Sequence, residues 1–142
     1  MKNSSMQSAV SQQSPRRKRT HSVRQRWNSF VRKYIWRMEI ASDAWIAQSA
    51  YIDRTFPAGI HIEQGVVVED EASVLTHDMT RGIYRDTHIG KNSVIGARAI
   101  IMPGLTIGAN CIIDPGSVVI KDVSDNSHMR GNPAKPIGQL EE

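Results

Sequence analysis

An aliphatic residue recurs at every sixth position from Ile89 to Val119, without a slip in register. The position four residues after each aliphatic is usually small, and Leu105 is the exception. A period of six is neither the 3.6 residues of an α-helix nor the simple alternation of a strand, so it indicates a structural repeat. Three units of one short strand and one turn would close one triangular coil of a β-helix. A β-sandwich is the alternative, but its turns come roughly every 8–12 residues.

The same period extends towards the N-terminus, with two interruptions. Twelve positions keep the phase: Ile40, Ile46, Ile52, Ile62, Val68, Val74, Ile89, Ile95, Ile101, Ile107, Ile113 and Val119. Four additional residues fall within 54–59, and nine fall within 75–88. We therefore predict an all-β solenoid, a parallel β-helix of about four triangular coils over residues 40–123, with an extended loop at 75–88. Residues 124–142 form a C-terminal segment.

An amphipathic α-helix is predicted immediately before the repeats, over residues 22–39. Ser22 followed by Gln25 is typical of a capping box. Apolar residues then recur along one face at helical spacing: Val23, Trp27, Phe30, Val31, Tyr34, Ile35 and Met38. Two interpretations of this helix stay open. It either caps the open first coil of the solenoid, which we favour, or rests as a basic helix on an anionic membrane surface.

Charge is distributed unevenly along the 142 residues. Residues 1–38 hold ten of the 18 Lys and Arg and no acid, whereas residues 39–142 hold eight against all 14 acids, a net charge of −6. The Ser- and Gln-rich residues 1–21, which end in a basic run, are predicted to be a disordered tail. Because the body is acidic and offers no continuous basic groove, we expect no nucleic-acid partner.

Composition argues against two further classes of protein. No run approaches the roughly 18 apolar residues of a membrane span, and a single cysteine rules out an internal disulfide. Cys111 falls at one of the small inward positions. We therefore interpret its thiol as buried filler rather than as a nucleophile.

The extended loop 75–88 concentrates polar side chains where the regular pattern breaks. It combines two residues each of three polar types: His77, His88, Asp78, Asp86, Arg81 and Arg85. Loops on a rigid scaffold often carry function, and an imidazole with an ordinary pKa of about 6.5 suits a general base at neutral pH. From these residues alone, polar surface and catalysis both stay open.

The repeat segment 89–110, together with the later runs Gly-Ser-Val-Val-Ile-Lys-Asp and Gly-Asn-Pro-Ala-Lys, resembles the hexapeptide-repeat acyltransferases. The resemblance covers roughly residues 40–137 and implies a left-handed β-helix, a homotrimer, and acetyl-coenzyme A bound between neighbouring prisms. It also implies that His77 is the loop histidine that deprotonates an acceptor hydroxyl. Five positions match those that contact the coenzyme in the family: Ala97, Pro115, Ile120, Lys121 and Lys135.

Two departures bear on those coenzyme contacts. The family usually has Gly-Ala where this chain has Asp114 and Pro115, and a proline cannot donate a backbone hydrogen bond. Ile120 replaces a common threonine. Within the loop, Asp78 either orients the His77 ring or is a solvated turn residue. The arginines 81 and 85 either hold an anionic acceptor or coenzyme phosphate, or are exposed loop charges.

The resemblance implies an O-acetyltransferase that moves an acetyl group from acetyl-coenzyme A to a sugar hydroxyl, in cell-surface polysaccharide biosynthesis. Virginiamycin- and chloramphenicol-type acceptors are alternatives. We expect a cytoplasmic protein without a metal, whose basic N-terminus can touch the inner membrane face. The alternatives are an inactive structural β-helix and a γ-type carbonic anhydrase, which needs three zinc-binding histidines, two of them in a His-x4-His pattern. Here His61, His77 and His88 are 16 and 11 residues apart.

Overall fold

The computed structural model describes residues 19–140. The predicted disordered tail at 1–21 therefore lies outside the described residues, except for its last three. Among those three, Arg19 forms an ion pair of 2.7 Å with Glu69, and its guanidinium lies 4.3 Å from the centre of the Trp45 ring. The chain is thus anchored to the body just before the helix begins.

The predicted helix is present as α1, Val23–Tyr34. Its capping box forms as expected, because the Ser22 side chain accepts from the Gln25 backbone N–H and the Gln25 side chain accepts from the Ser22 N–H. The helix ends five residues before the predicted boundary. Arg37 adopts a left-handed conformation at φ 57°, so the chain turns sharply there and carries Met38 into the core. No described helix is long and apolar enough to cross a membrane.

Three parallel sheets form the faces of a triangular prism, which confirms the predicted left-handed parallel β-helix of about four coils. The first face contains β1 (Glu39–Ile40), β4 (Ile60–Ile62), β9 (Thr87–Ile89) and β12 (Thr106–Ile107). The second face contains β2 (Trp45–Ile46), β5 (Val67–Val68), β10 (Val94–Ile95), β13 (Ile112–Ile113) and β15 (Ser127–Gly131). The third face contains β3 (Tyr51–Ile52), β6 (Ser73–Val74), β11 (Ile100–Ile101) and β14 (Val118–Val119).

Like residues stack on like along the axis of the prism. On the second face, for example, Ile95 lies in register with Val68 on one side and with Ile113 on the other. Of the twelve in-phase aliphatics, eleven are buried and Ile40, in the first strand, is partly buried. The period of six therefore marks the residues that form the core.

Both interruptions of the period lie at corners that follow the third face. The first contains a short 3-10 helix, Pro57–Gly59. The second is a β-hairpin of β7 (His77–Asp78) and β8 (Ile83–Tyr84), which pair antiparallel outside the prism. The predicted extended loop is thus an ordered hairpin, and its C-terminal end has already rejoined the first face at Thr87.

The ends of the prism are closed in ways that the pattern predicted only in part. At the N-terminal end, Met38 is buried and Trp36 packs against the core. The favoured cap is present in part: no residue of α1 is fully buried, and Val31 and Arg32 are half-buried over the first coil while Trp27 and Tyr34 are exposed. At the other end, β15 pairs with β13 and then turns back into β16 (Ala134–Gln139).

Candidate active site

Two buried threonines fix the base of the hairpin. Thr76 donates its hydroxyl to the carbonyl oxygen of Phe56 at 2.8 Å. Thr87 donates to the carbonyl of Leu75 at 2.6 Å and accepts from the N–H of Gly104 at 3.0 Å. These bonds join the start and the end of the excursion to each other and to the coils on either side. Residues at its base are therefore held by the rigid prism.

His77 lies at this base and is held by a buried carboxylate from the coil below. Asp53, directly after β3, is fully buried. Its Oδ2 accepts from the backbone N–H groups of Thr76 at 2.9 Å and His77 at 3.1 Å, and its Oδ1 accepts from Thr55 at 2.9 Å. The same Oδ2 bonds Nδ1 of the His77 ring. Burial alone would raise the pKa of Asp53, but these backbone and ring hydrogen bonds outweigh it and lower the pKa below the ordinary value.

The Asp53 contact defines the protonation pattern of the ring. An ionised carboxylate only accepts hydrogen bonds, so Nδ1 of His77 carries the proton and Nε2 of the neutral ring keeps a free lone pair. Within residues 19–140, Nε2 has no hydrogen-bond partner, and 18% of the His77 side chain is exposed. The ring of Tyr84 lies 6.3 Å from the imidazole, at an interplanar angle of 30°. The arrangement presents a basic nitrogen beside a half-exposed aromatic ring.

Asp78 does not contact the His77 ring, so the interpretation that it orients this ring is wrong. Its Oδ1 accepts from the backbone N–H groups of Thr80 at 2.9 Å and Arg81 at 3.3 Å, and its Oδ2 lies 3.7 Å from Nε of Arg81. Neighbouring residues of a strand point to opposite sides, so His77 and Asp78 diverge. Asp78 stabilises the hairpin turn, and the ring partner is Asp53.

Arg81 and Arg85, for which the sequence leaves both anion binding and exposed loop charge open, lie on the outside of the hairpin. The side chain of Arg81 is 72% exposed at the turn. Arg85 leaves β8 towards the next coil, where its aliphatic stem covers Gly104 so closely that an added Cβ on that glycine would lie 2.8 Å from Cδ. Both arginines belong to the same excursion, residues 75–88, as His77. Their binding of an anion stays a prediction.

The five predicted coenzyme positions occupy three places on the outer wall. Ala97 and Pro115 lie on successive coils at one corner, where the N–H of Gly116 donates to the Ala97 carbonyl at 2.8 Å. Ile120 and Lys121 follow β14, at the row of corners after the third face, two coils beyond the corner that bears the hairpin. Lys135 is exposed on β16.

Asp114, which stands with Pro115 where the family usually has Gly-Ala, has a structural function. Its Oδ1 accepts from Nε2 of His128 at 2.6 Å, and its Oδ2 accepts from Nε of Arg130. Partial burial would raise the pKa of Asp114, but the bonds from His128 and Arg130 outweigh it and lower the pKa. The carboxylate thus fastens β15 to the last complete coil. In the register of the C-terminal hairpin, Lys135 lies opposite Arg130.

The remaining histidine pair and the cysteine are accounted for by packing. The rings of His61 and His88 stack at 4.3 Å on the first face, where His61 contacts Glu39 at 2.7 Å and Asp86 at 3.1 Å. No cluster of three or more His, Cys, Asp or Glu among residues 19–140 is arranged to hold a metal ion. Cys111 is buried, as predicted, and burial raises the pKa of its thiol, which is the opposite of what a nucleophile needs.

Comparison with known proteins agrees with this architecture. The family model for the bacterial transferase hexapeptide (six repeats) matches residues 86–121. The Bacillus subtilis (strain 168) protein YvoF, provisionally named an acetyltransferase, is 31% identical over 108 residues, which cover 75% of this chain and 63% of YvoF. The chain thus spans less than two thirds of the length of that relative.

Two solved structures share the fold. A maltose O-acetyltransferase from Clostridium difficile 630 is 27% identical with a TM-score of 0.58, over 73% of this chain and 70% of that one. A hexapeptide-repeat acetyltransferase from Vibrio cholerae O1 biovar eltor, solved with acetyl-coenzyme A, is 19% identical with a TM-score of 0.57, over 85% and 80% of the two chains. In its repeat, its prism and its fold the chain is thus similar to hexapeptide-repeat acetyltransferases.

Proposed function

We propose that this protein is an O-acetyltransferase that moves an acetyl group from acetyl-coenzyme A to a hydroxyl of a sugar. The observation that carries the proposal is the contact between Asp53 and His77 at the base of the hairpin. This buried carboxylate accepts from three backbone N–H groups, and it also holds the ring in the tautomer that a general base requires. The similarity to acetyltransferases supplies the reaction class.

In the proposed reaction, Nε2 of His77 removes the proton from the acceptor hydroxyl while its oxygen attacks the carbonyl carbon of the thioester. The carbon–sulfur bond then breaks, and His77 returns the proton to the departing thiolate. Asp53 stays ionised throughout and stabilises the imidazolium that forms transiently. No net proton is gained or lost by the enzyme, so a single imidazole is sufficient for both steps.

The outer wall offers suitable groups for the coenzyme. Ile120 is 49% exposed and provides an apolar contact for the pantetheine arm, while Lys121 and Lys135 are exposed cations suited to the phosphates. Pro115 contributes shape only, because it has no N–H to donate. Bound acetyl-coenzyme A would supply the activated acetyl group.

A sugar acceptor is supported by the surroundings of His77. Tyr84 is 54% exposed and contacts Phe56 edge to face at 6.2 Å, so an aromatic plane is held beside the base. Arg85 could add a hydrogen-bond donor or hold an anionic substituent. The maltose specificity in the name of the Clostridium difficile protein belongs to that protein. For this chain we propose a polysaccharide or its precursor, acetylated in the cytoplasm by a homotrimer.

The test is release of free thiol from acetyl-coenzyme A with a panel of sugars and sugar nucleotides. We expect at least one acceptor to respond. His77→Ala should lower kcat by a factor of about 10²–10⁴, the usual contribution of a general base. Asp53→Asn should lower kcat by a similar factor. Its effect on KM for the coenzyme should be smaller, because the substitution removes the charge that orients His77 and leaves the residues proposed to bind the coenzyme unchanged.

Matched controls separate catalysis from folding. His88→Asn changes an exposed histidine that stacks on His61 instead of lying at the hairpin base, and should keep kcat within about twofold. Asp78→Asn removes a turn carboxylate on the same hairpin and should lower activity far less than Asp53→Asn. If the protein bound the coenzyme but turned over no acceptor, or if His77→Ala kept full activity, the scaffold alternative would replace this proposal.

A further inference from the structure

One surface of the molecule has no role in the proposed reaction, the apolar side of α1. We call Val23, Trp27, Phe30 and Tyr34 the α1 stripe. They follow one another at helical spacing, and their exposed fractions are 85%, 66%, 50% and 64%. The ring of Phe30 lies 5.9 Å from that of Trp27 and 4.7 Å from that of Tyr34. The four side chains thus form one continuous apolar surface.

The α1 stripe lies outside the hydrophobic core of the prism. Met38 and Trp36 close the N-terminal end of the core, and no residue of α1 is buried. The helix is nevertheless stabilised at both ends. Its capping box is complete at the N-terminus, and the positive charges of Arg32 and Lys33 in the last turn interact favourably with the negative end of the helix dipole. A folded helix that keeps three adjacent aromatic rings exposed to water is typical of a surface that contacts a partner.

The charge around the α1 stripe indicates the chemistry of that partner. Arg24, Arg26 and Lys33 are exposed on the same helix beside the stripe, whereas Arg32 is half-buried on the side that faces the prism, and residues 1–38 contain no acidic side chain. A strongly anionic surface is therefore complementary to the flanks of the stripe. Trp and Tyr favour the boundary between hydrocarbon and headgroups, and arginine stems can extend along apolar surface while their charges stay in water.

We propose that α1 docks on an anionic lipid bilayer surface, with the α1 stripe inserted at the level of the acyl boundary and the flanking arginines at the lipid phosphates. A basic helix with one aromatic face is the arrangement that lies in the plane of such an interface. The inference is independent of the proposed activity, since no residue of the stripe belongs to the hairpin of β7 and β8 or to the five predicted coenzyme positions. Docking would bring the enzyme to the membrane surface.

The experiment is co-flotation of the full-length protein with vesicles. One set contains equal parts of phosphatidylglycerol and phosphatidylcholine, and the other contains phosphatidylcholine only. We expect binding to the anionic vesicles at least about tenfold tighter than to the neutral ones, and weakening as salt screens the charges. Trp27→Ser combined with Phe30→Ser should lower the affinity at least about tenfold.

Further variants distinguish the sources of affinity. Arg24→Gln with Arg26→Gln should reduce the preference for anionic vesicles and its salt dependence. Ile137→Ser, which changes a 47% exposed apolar residue on β16, should bind like the unaltered protein. All of these residues are exposed, so unchanged thermal melting verifies that each variant folds. Brominated lipid should quench the fluorescence of Trp27, and Trp27→Phe should remove most of that quenching.

Three outcomes would overturn the proposal. Equal binding to neutral and anionic vesicles would remove the role of charge, and no binding to either would remove the membrane itself. Self-association that is lost in the Trp27→Ser, Phe30→Ser variant, without vesicle binding, would assign the α1 stripe to a second copy of the chain. Thiol release from acetyl-coenzyme A in solution is a separate measurement, so its failure would leave the docking result unaffected.

Discussion

Successive coils of the prism approach one another so closely at some corners that there is no room for a single Cβ atom. A Cβ added to Gly96 would lie 2.6 Å from the carbonyl oxygen of Ile113 and 2.6 Å from the nitrogen of Pro115. Gly90 meets backbone atoms of Gly108 in the same way. These contacts involve backbone and not flexible side-chain ends, so only a shift of the coil could relieve them.

We predict that Gly96→Ala lowers the free energy of unfolding by about 1–3 kcal/mol, because it overpacks a rigid backbone contact. Gly138 is the matched control, since an added Cβ there meets nothing within 4 Å. Gly138→Ala should change stability by no more than about 0.5 kcal/mol. Urea denaturation measures both variants. Equal urea midpoints for the two variants would mean that the backbone at the corners can shift to accommodate a Cβ atom, which would contradict the prediction.

The elements added to the prism are fastened to it by charged residues at specific points. The C-terminal hairpin of β15 and β16 is an example, because Asp114 on the last complete coil binds both His128 and Arg130 of β15. The hairpin of β7 and β8 is an equivalent case, in which Asp53 binds an element that starts 24 residues later. In both cases a carboxylate just after a core strand reaches the neighbouring coil.

The Asp114 contact predicts a pH dependence of stability. Its pKa is lowered by folding, so its contribution is complete above the unfolded value of about 3.9 and is lost as pH falls through the lower folded value. Asp114→Asn should cost about 1–2 kcal/mol at pH 7 and flatten the acid side of the stability profile. Thermal melting from pH 7 to acid tests this. Glu71→Gln, which breaks an exposed pair with Arg98, should change the profile little.

At the scale of the whole molecule, the prism is a rigid rod from which one ordered hairpin projects. The tip of this hairpin carries Met79, whose side chain is 73% exposed. A projecting apolar side chain next to a proposed active site is suited to contact a neighbouring prism. This geometry supports the homotrimer that we propose, with each site completed at a seam between two subunits.

We predict a native mass of three chains by light scattering. Met79→Asp should shift the protein towards smaller species and lower acetyl transfer by about tenfold or more, because burying an unpaired charge at the seam is costly. Ile137→Asp places the same charge at another exposed apolar position and should leave the mass unchanged. A trimer that tolerates Met79→Asp would contradict the role of the hairpin tip, and a monomer would contradict the assembly.

The sequence by itself determined the prism, its core and the position of the long excursion. A side chain at every sixth residue must point to one side if each coil has three equal faces, so the period identifies Ile95 or Ile101 as buried without any coordinates. The break in that period located the excursion that bears His77. Local signals were equally sufficient for the start of α1, because a capping box involves only neighbouring residues.

Only the tertiary structure decided what those elements contact. Asp53 and His77 are 24 residues apart, and their contact depends on how the corners stack after four inserted residues, which the period cannot resolve. A carboxylate directly after Ile52 was the available signal, but its meaning required the register of the next coil. The apolar face of α1 shows the same difference. An amphipathic pattern is identical whether the face packs on a coil or meets an external surface, and only the folded chain, in which Met38 and Trp36 already close the core, leaves that face exposed.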